Sequence, residues 1–478
     1  MQFKRQGLKL LVITALAVMS WLVYTYLIDQ ESIWIDEWFT IRSISQVTVS
    51  QAVAMVVDGE NTPPAYFLLL RWWAGSNPND LKRLRCFSAL FATGSVLLAY
   101  LFGSVISGSA VGIVFALLTL CSPYVLWYAQ EARNSSFAMF LALLLVSLFY
   151  LYAKRRRLLY LVAVAALQLI GLYTHYFFLF FIPAQCLYLL LRSTRGQLVR
   201  WLAAMVPVGV IFVLWIPRLL EQMAMNRANW LTTPTTYFPL QILGAFSSGI
   251  FYELNQSAAI MTTCLFGVLF IYGLFSMLCS RRRIQCVLRF DDENLLLLIF
   301  FFVPILSAYF ISFAKPILYE GKRYLIVVLP LFHLIVARGV AMNRRRWTAV
   351  LLTVLLISFS AFFMQEIYTK IQKRYWKQAS AIIEARSKPG DAIYSTDYTQ
   401  GGVLSYYGTG YAKNVEISDF TLFKKHLRPY ERLWYVAYVE NTFEERTFNS
   451  NLRLIEARTL TNSAGYHIRI ALYDCSML

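Results

Sequence analysis

Residues 11–40 read LVITALAVMSWLVYTYLIDQESIWIDEWFT, an uncharged apolar run followed by Trp34-Ile35-Asp36-Glu37. A helix crossing the hydrocarbon core needs about 20 mainly apolar residues, and the run near 9–28 has that length. Lys4, Arg5 and Lys9 before it look like the start of a signal peptide. No small-residue cleavage site follows before Ile33, so the run reads as a retained first span.

The same pattern recurs outward from this stretch. Apolar runs near 86–106, 108–127, 136–153, 158–174, 176–191, 201–217, 257–279, 294–313, 324–341 and 347–364 predict about eleven spans in all. Composition agrees: the 478 residues are 58% hydrophobic and 15% charged, against about 25% charged in an ordinary soluble domain.

The formal charge of +18 does not point to nucleic acid, because the basic residues sit in short clusters between apolar runs. Such clusters set topology. Lys154 to Arg157, then Arg192, Arg195 and Arg200, then Arg281 to Arg283, then Arg344 to Arg346 all fall on one side of an eleven-span threading. That side is expected to be the cytoplasm, with the N-terminus. Segments 29–85, 128–135, 218–256, 314–323 and the tail after about 365 are then expected outside. The expected domains are a membrane domain over 1–364, with a first outer loop over 29–85, and an extracytoplasmic α/β tail over 365–478.

Ile367, Ile371, Ala379, Ile382 and Ile383 fit one helical face in the tail, and Pro389-Gly390-Asp391 marks a turn. Strand-like runs follow at 392–395, 433–439, 454–458 and 467–473. The tail holds only Cys475, so it has no internal disulfide. The chain has no CxxC and no Cys/His cluster with zinc spacing.

Chemistry-bearing residues gather in the outer segments. Asp36 and Glu37 place a potential general base just beyond the first span; the plainer alternative is an acidic loop with Trp34 and Trp38 at the interface. In Asp58-Gly59-Glu60-Asn61-Thr62-Pro63-Pro64-Ala65-Tyr66 the prolines stiffen a turn. A plain structural turn is the more expected reading; the alternative is that they end one loop helix and start another along the membrane surface, through Tyr66 to Trp73. Glu131 and Arg133 lie near a span end, where charges face a cavity or pair with one another. Lys82, Arg83, Arg85, Lys315, Lys322 and Arg323 run against the charge bias for outer segments; a lipid phosphate would account for them, and simple headgroup contact is the alternative for any one of them. His175 sits at an outer turn, where structural roles are commoner than catalytic ones. The expected spans carry almost no ionisable residue besides His333, which favours outer-face chemistry over ion-coupled transport.

In sequence order, Trp34-Ile35-Asp36-Glu37, Pro63-Pro64-Ala65-Tyr66, Leu84-Arg85, Trp127 to Arg133, Tyr173-Thr174-His175-Tyr176, Lys322-Arg323-Tyr324 and Trp376 through Asp391 resemble the bacterial branch of glycosyltransferase family 39. That group has the GT-C membrane fold and is related to protein O-mannosyltransferases and lipid A aminoarabinose transferases. The resemblance implies a transferase with a polyprenyl-phosphate sugar donor and a single inverting displacement onto a lipid, glycan or protein acceptor. It implies Asp36 as catalytic carboxylate with Glu37 as its partner, and Arg85, Lys322 and Arg323 as holders of the departing phosphate. Glu131, Arg133, His175 and Tyr66 would line the cavity. No nucleotide-sugar Asp-x-Asp signature stands in the first loop, so no cofactor or divalent metal is expected. A lipid or polysaccharide transporter and a non-catalytic lipid-binding relative stay open as alternatives. The expected location is the cytoplasmic membrane.

Overall fold

The structure, a computed structural model, describes residues 2–225, 231, 233–249, 255–278, 291–318, 323–341, 345–371, 373–395, 398–408, 431–438, 442–463 and 465–476. Two compact units result. Met1–Tyr26 and Ser43–Gln365 form the first, and Leu27–Arg42 and Glu366–Leu478 the second. The residues just after the first span therefore group with the tail, not with the rest of the first loop.

Helices dominate the first unit: α1 (Gln2–Thr25), α2 (Ile35–Ile44, shared with the second unit), α3 (Val49–Gly59), α4 (Ala65–Ala74), α5 (Leu81–Ser107), α6 (Ser109–Leu120), α7 (Pro123–Ala129), α8 (Ser135–Arg155), α9 (Leu158–Leu172), α10 (Phe181–Arg192), α11 (Arg195–Val213), α12 (Ile216–Ala224), α13 (Phe238–Ser248), α14 (Gln256–Leu278), α15 (Asp292–Ala314), α16 (Leu329–Ala341) and α17 (Arg346–Thr369). Short 3-10 turns, Tyr176–Phe180 and Tyr324–Val328, lead into α10 and α16.

Among the described residues, eight helices are long and apolar enough to cross a membrane, and α6 with α7, bent by 57°, makes a ninth if counted as one span. All eleven expected runs are helical, but α9 and the Tyr176–Arg192 segment are too short to qualify. Fifteen residues of α9 rise only about 22 Å, against a core of about 30 Å. Near its end, a Cβ on Gly171 would lie 2.1 Å from the Phe178 ring, so the turn into the next segment folds back tightly there. Arg338, in the last turn of α16, is a further ionisable residue in a span besides His333.

Local chemistry explains the boundaries. Thr48 and Gln51 form a capping box at the start of α3, Asp80 accepts from the Arg83 amide at the start of α5, and Ser122 with Pro123 starts α7. Pro63 and Pro64 do separate two helices, α3 and α4. Between α14 and α16 the backbones nearly touch: a Cβ on Gly273 would lie 2.0 Å from the Ile335 carbonyl, and one on Gly339 2.1 Å from the Leu269 carbonyl. Without a hydrophobic drive between helices in lipid, such close small-residue packing is what associates them.

One end of this bundle carries charge of ordinary surface kind. Lys154 Nζ meets Glu293 at 3.0 Å and Arg192 Nε meets Asp292 at 3.5 Å. The basic clusters ending α8 and α10 therefore both reach the acidic first turn of α15.

The second unit is built on a four-stranded sheet, order β1-β2-β4-β3: β1 (Ala392–Ser395), β2 (Arg432–Ala437), β3 (Arg453–Thr461) and β4 (His467–Asp474). The first pair is parallel and the other two antiparallel. All four expected strand runs are strands. Helices α18 (Trp376–Arg386), α19 (Tyr398–Tyr406) and α20 (Phe443–Asn451) accompany them. Tyr394, Leu433, Tyr435, Phe448 and Tyr473 form the core on one face. Gly390 at φ +93° makes the expected turn. The expected single helical face from Ile367 to Ile383 is instead broken: α17 stops at Thr369 and α18 starts at Trp376. The intervening Lys373 sends its N–H to the Glu31 carboxylate and its carbonyl to the Asn462 amide, so its backbone groups are satisfied outside a helix.

Candidate functional site

In the first unit, buried charges converge at the end of the bundle away from the ion pairs of α15. The turn Gln130–Asn134 between α7 and α8 is closed by the Arg133 amide donating to the Glu131 carbonyl at 2.8 Å. Arg133 then reaches back to Glu60, donating from both terminal nitrogens to the two carboxylate oxygens, one at 2.7 Å. The side chains are 7% and 6% exposed. A two-pronged guanidinium–carboxylate pair is directional as well as strong, so Arg133 fixes the residues that precede Pro63-Pro64. Gln222 of α12 helps, its amide donating to the Glu60 carbonyl at 2.9 Å. Tyr176 and Trp215 in turn hold Gln222 in place. The Ala65 amide donates to the Tyr173 carbonyl at 2.8 Å.

Glu131 points a different way. Its carboxylate faces Arg323 Nη2 at 3.6 Å; Glu131 is 4% exposed and Arg323 21%. The expected alternative of a mutual Glu131–Arg133 pair gives way to two separate pairs, one with Glu60 and one with Arg323. His175 lies nearby against Phe177 and Tyr324. Its Nδ1 accepts from the Phe177 amide at 3.2 Å, which caps the 3-10 turn and leaves the ring proton on Nε2. Burial, with the Arg323 and Arg133 charges, pushes the imidazole down to about 3, so the ring is neutral.

Arg85 is fully buried in α5, and Tyr66 is fully buried among Phe67, Phe87 and Phe137. Neither presents surface to a ligand in this conformation. Lys322 lies outside the described residues.

In the second unit, Asp36 and Glu37 occupy the first turn of α2. Asp36 is partly exposed and Glu37 is not exposed at all. Glu37 Oε2 accepts from the Trp34 amide at 3.0 Å and from Lys373 Nζ at 3.1 Å. A carboxylate three residues into a helix that accepts from the amide before it is half of a capping box. The Tyr407 hydroxyl accepts from the Ile33 amide at 2.7 Å. Trp38 rests on α19 so closely that a Cβ on Gly402 would lie 2.1 Å from its ring. The acidic pair is thus part of a folded unit, not a free interfacial loop.

Three participants escape the sequence reading. Glu60 stands in a motif singled out for its prolines. Gln222 carries no signal. Lys373 belongs to a basic run, Lys370, Lys373, Arg374 and Lys377, in a segment expected outside, the same anomaly that singles out Lys322 and Arg323. Among the described residues, no group of three His, Cys, Asp or Glu side chains converges as for a metal ion.

No protein-family model matches the chain, and no curated protein matches it. Solved structures do match. The crystal structure of ArnT from Cupriavidus metallidurans in the apo state aligns over 98% of both chains, with TM-score 0.60 and 10% identity. The same protein bound to undecaprenyl phosphate aligns over 96% of this chain and 97% of that one, with TM-score 0.54 and 11% identity. An oligosaccharyltransferase from Archaeoglobus fulgidus covers 90% of this chain and 68% of its own, with TM-score 0.52 and 11% identity. The chain therefore has an ArnT-like fold.

Proposed function

We propose that this chain is a membrane glycosyltransferase that moves a sugar from a polyprenyl-phosphate donor to an acceptor at the outer face of the cytoplasmic membrane. The observation that carries the reading is the end-to-end fold match to ArnT, one of whose structures holds undecaprenyl phosphate. It is supported by a partly exposed carboxylate, Asp36, directly after the first span.

In this reading an acceptor hydroxyl attacks the anomeric carbon from the face opposite the phosphate. The new C–O bond forms as the sugar–phosphate C–O bond breaks, and polyprenyl phosphate leaves with the electron pair. Asp36 takes the acceptor proton. Arg323 neutralises charge that grows on the departing phosphate, with Lys322 beside it in sequence. Glu131 orients Arg323, and Glu60 holds Arg133. Arg85 acts from within the fold, because its burial leaves it no open face. No step is routed through a metal ion, and the reading requires none.

The orientation belongs to the proposal: N-terminus in the cytoplasm, tail outside. Its support is the grouping of Lys154 and Arg192 at one end of the bundle, as the charge bias of cytoplasmic segments requires. Reporter fusions after Arg200 and Leu478 are expected to read inside and outside, and an inside tail overturns the threading.

The functional test is an assay of the purified protein with labelled polyprenyl-phosphate sugars and a panel of hydroxyl and phosphate acceptors. Release of polyprenyl phosphate together with a labelled acceptor is expected, and it persists in chelator. Donor binding without transfer across the panel overturns the enzyme reading in favour of a lipid-binding relative.

A further inference from the structure

Within the second unit, the chain leaving the last span is fastened to the chain leaving the first at three points, and a fourth bond ties Lys373 to the rest of the tail. The Lys373 N–H donates to Glu31 Oε2 at 3.1 Å. The Lys377 N–H donates to Ser32 Oγ at 3.2 Å. Lys373 Nζ donates to Glu37 Oε2 at 3.1 Å, and Asn462 Nδ2 donates to the Lys373 carbonyl at 3.0 Å. Lys373 is therefore held at its amide, its carbonyl and its ammonium, and its side chain is 3% exposed against 0% for Glu37.

A lysine on four methylenes is ordinarily mobile, solvated and free to choose partners. A lysine withdrawn from water needs its charge compensated where it lies, and here Glu37 does so. The pair has a geometric consequence as well. The oxygen of Glu37 that meets Lys373 also accepts from the Trp34 amide, which is the contact that sets where α2 begins. Asp36 sits in that first turn, and Thr40 Oγ1 bonds its carbonyl one turn later at 3.0 Å. The direction in which Asp36 leaves the helix thus follows from a cap that Lys373 holds closed.

We propose that Lys373 is a positioning residue for Asp36, acting through Glu37, so that the tail completes the acidic pair instead of serving as a separate appendage. The inference rests on the reading of Asp36 as the general base. Glu37 is too buried to touch an acceptor; its part is to transmit the position of Lys373 to the first turn of α2. Misplacing a reacting group by about 1 Å can cost about a hundredfold in rate.

The test uses the full-length protein in detergent with a labelled polyprenyl-phosphate sugar, and reads kcat, donor KM and hydrogen exchange of amides 35–40. Lys373→Met is expected to lower kcat by about ten- to a hundredfold, to leave donor KM within about twofold, and to speed exchange at 35–40. Lys373→Arg, which keeps the charge, is expected to recover most of the kcat. Because Lys373→Met strands a buried carboxylate and can fail to fold, the double variant Glu37→Met with Lys373→Met removes both charges together. It is expected to fold, with kcat still depressed. Wild-type kcat in the double variant overturns the proposal and reduces the pair to a fold pin. Absence of transfer by the wild-type protein counts against the enzyme reading instead. Exchange then still decides the positioning claim, since unchanged exchange at 35–40 in Lys373→Met overturns it.

Discussion

Two buried ion pairs, one in each unit, hold down two stretches of the first loop by different means. Arg133–Glu60 is a guanidinium fork on a carboxylate, reinforced by Gln222 on the Glu60 backbone. Lys373–Glu37 is a point charge on one oxygen that a backbone amide shares. The fork fixes an orientation by itself. The ammonium does not, and the lysine obtains its geometry from bonds at its own backbone. The two acids beside these pairs differ accordingly. Glu131 is buried and faces a second arginine, whereas Asp36 keeps part of its surface open. The acid beside the helical unit's pair is enclosed with a cation, and the acid beside the tail unit's pair is reachable from solvent.

The strongest way to break that contrast is to neutralise the open acid. Asp36→Asn keeps the shape and removes the proposed proton acceptor, and a lost general base costs about 10²–10⁴ in rate. Steady-state transfer to a hydroxyl acceptor is the measurement, with donor binding expected intact. Glu37→Gln is expected to cost less, because Glu37 does not reach the acceptor. A variant Asp36→Asn that retains full rate removes Asp36 from the mechanism.

Removing one member of each pair tests whether both are structural to the same degree. Breaking a buried pair from one side costs about 3–5 kcal/mol, much of it the penalty of stranding the other charge. Glu60→Gln strands Arg133 and is expected to lower the melting temperature of the detergent-solubilised protein. Arg133→Lys is expected to recover little of Arg133→Ala, since a lysine cannot reproduce the fork. Lys373→Arg is expected to be the better tolerated exchange. Equal tolerance at both sites erases the distinction between fork and point charge.

Much of this was legible in residues close together in sequence. The eleven apolar runs are helices, Pro63-Pro64 separates α3 from α4, and the tail strands lie at the four strand-like runs. Periodicity and turn chemistry are local, and local signals survive folding. Span length was misjudged at α9, where hydropathy marks an apolar helix but not the fold-back at Gly171 and Phe178 that shortens it. The site was legible as a set of residues and not as a set of pairs. Glu131 and Arg133 are neighbours in sequence and invite pairing. Yet the turn between them points them apart, and their partners come from Arg323 and Glu60. Lys373 reaches Glu37 across 336 positions, which no spacing rule encodes.

Donor binding separates the arginines by burial. Arg323 keeps 21% of its side chain exposed and Arg85 keeps none. Arg323→Ala is expected to raise donor KM by about tenfold, the loss of one charge-assisted contact, with a smaller recovery in Arg323→Lys. Arg85→Ala is expected to lower melting temperature before it alters donor KM. Unchanged donor KM for Arg323→Ala reduces that residue to an anchor for Glu131. A raised KM for Arg85→Ala in a protein of unaltered stability means the helical unit opens around Arg85 when donor binds.

The smallest effect separates the units by acid sensitivity. His175 in the helical unit is held neutral at about 3 by burial and by Arg323 and Arg133, against a free value of 6.5. Its folded value lies below its free value, so protons bind the unfolded chain first. The stability it secures is complete above about pH 6.5 and falls as pH drops towards 3. At pH 5.5 the loss is about 1.4 kcal/mol. In the tail, burial alone would raise the Asp391 carboxyl, but bonds from Arg432, the Lys388 amide and Trp434 hold it below its free value of 3.8. A carboxylate held low contributes stability that is complete well above its free value and is lost only as pH falls through and below it. Hydrogen exchange resolved by unit is therefore expected to show the helical turn at 171–178 loosening between pH 6.5 and 5. The β1–β2 amides should stay protected until about pH 4. His175→Asn, which can still accept from the Phe177 amide but does not titrate, is expected to flatten the first loss and leave the second in place. Parallel loosening of both regions across pH 6.5 to 5 means that His175 is not what sets the acid response of its turn.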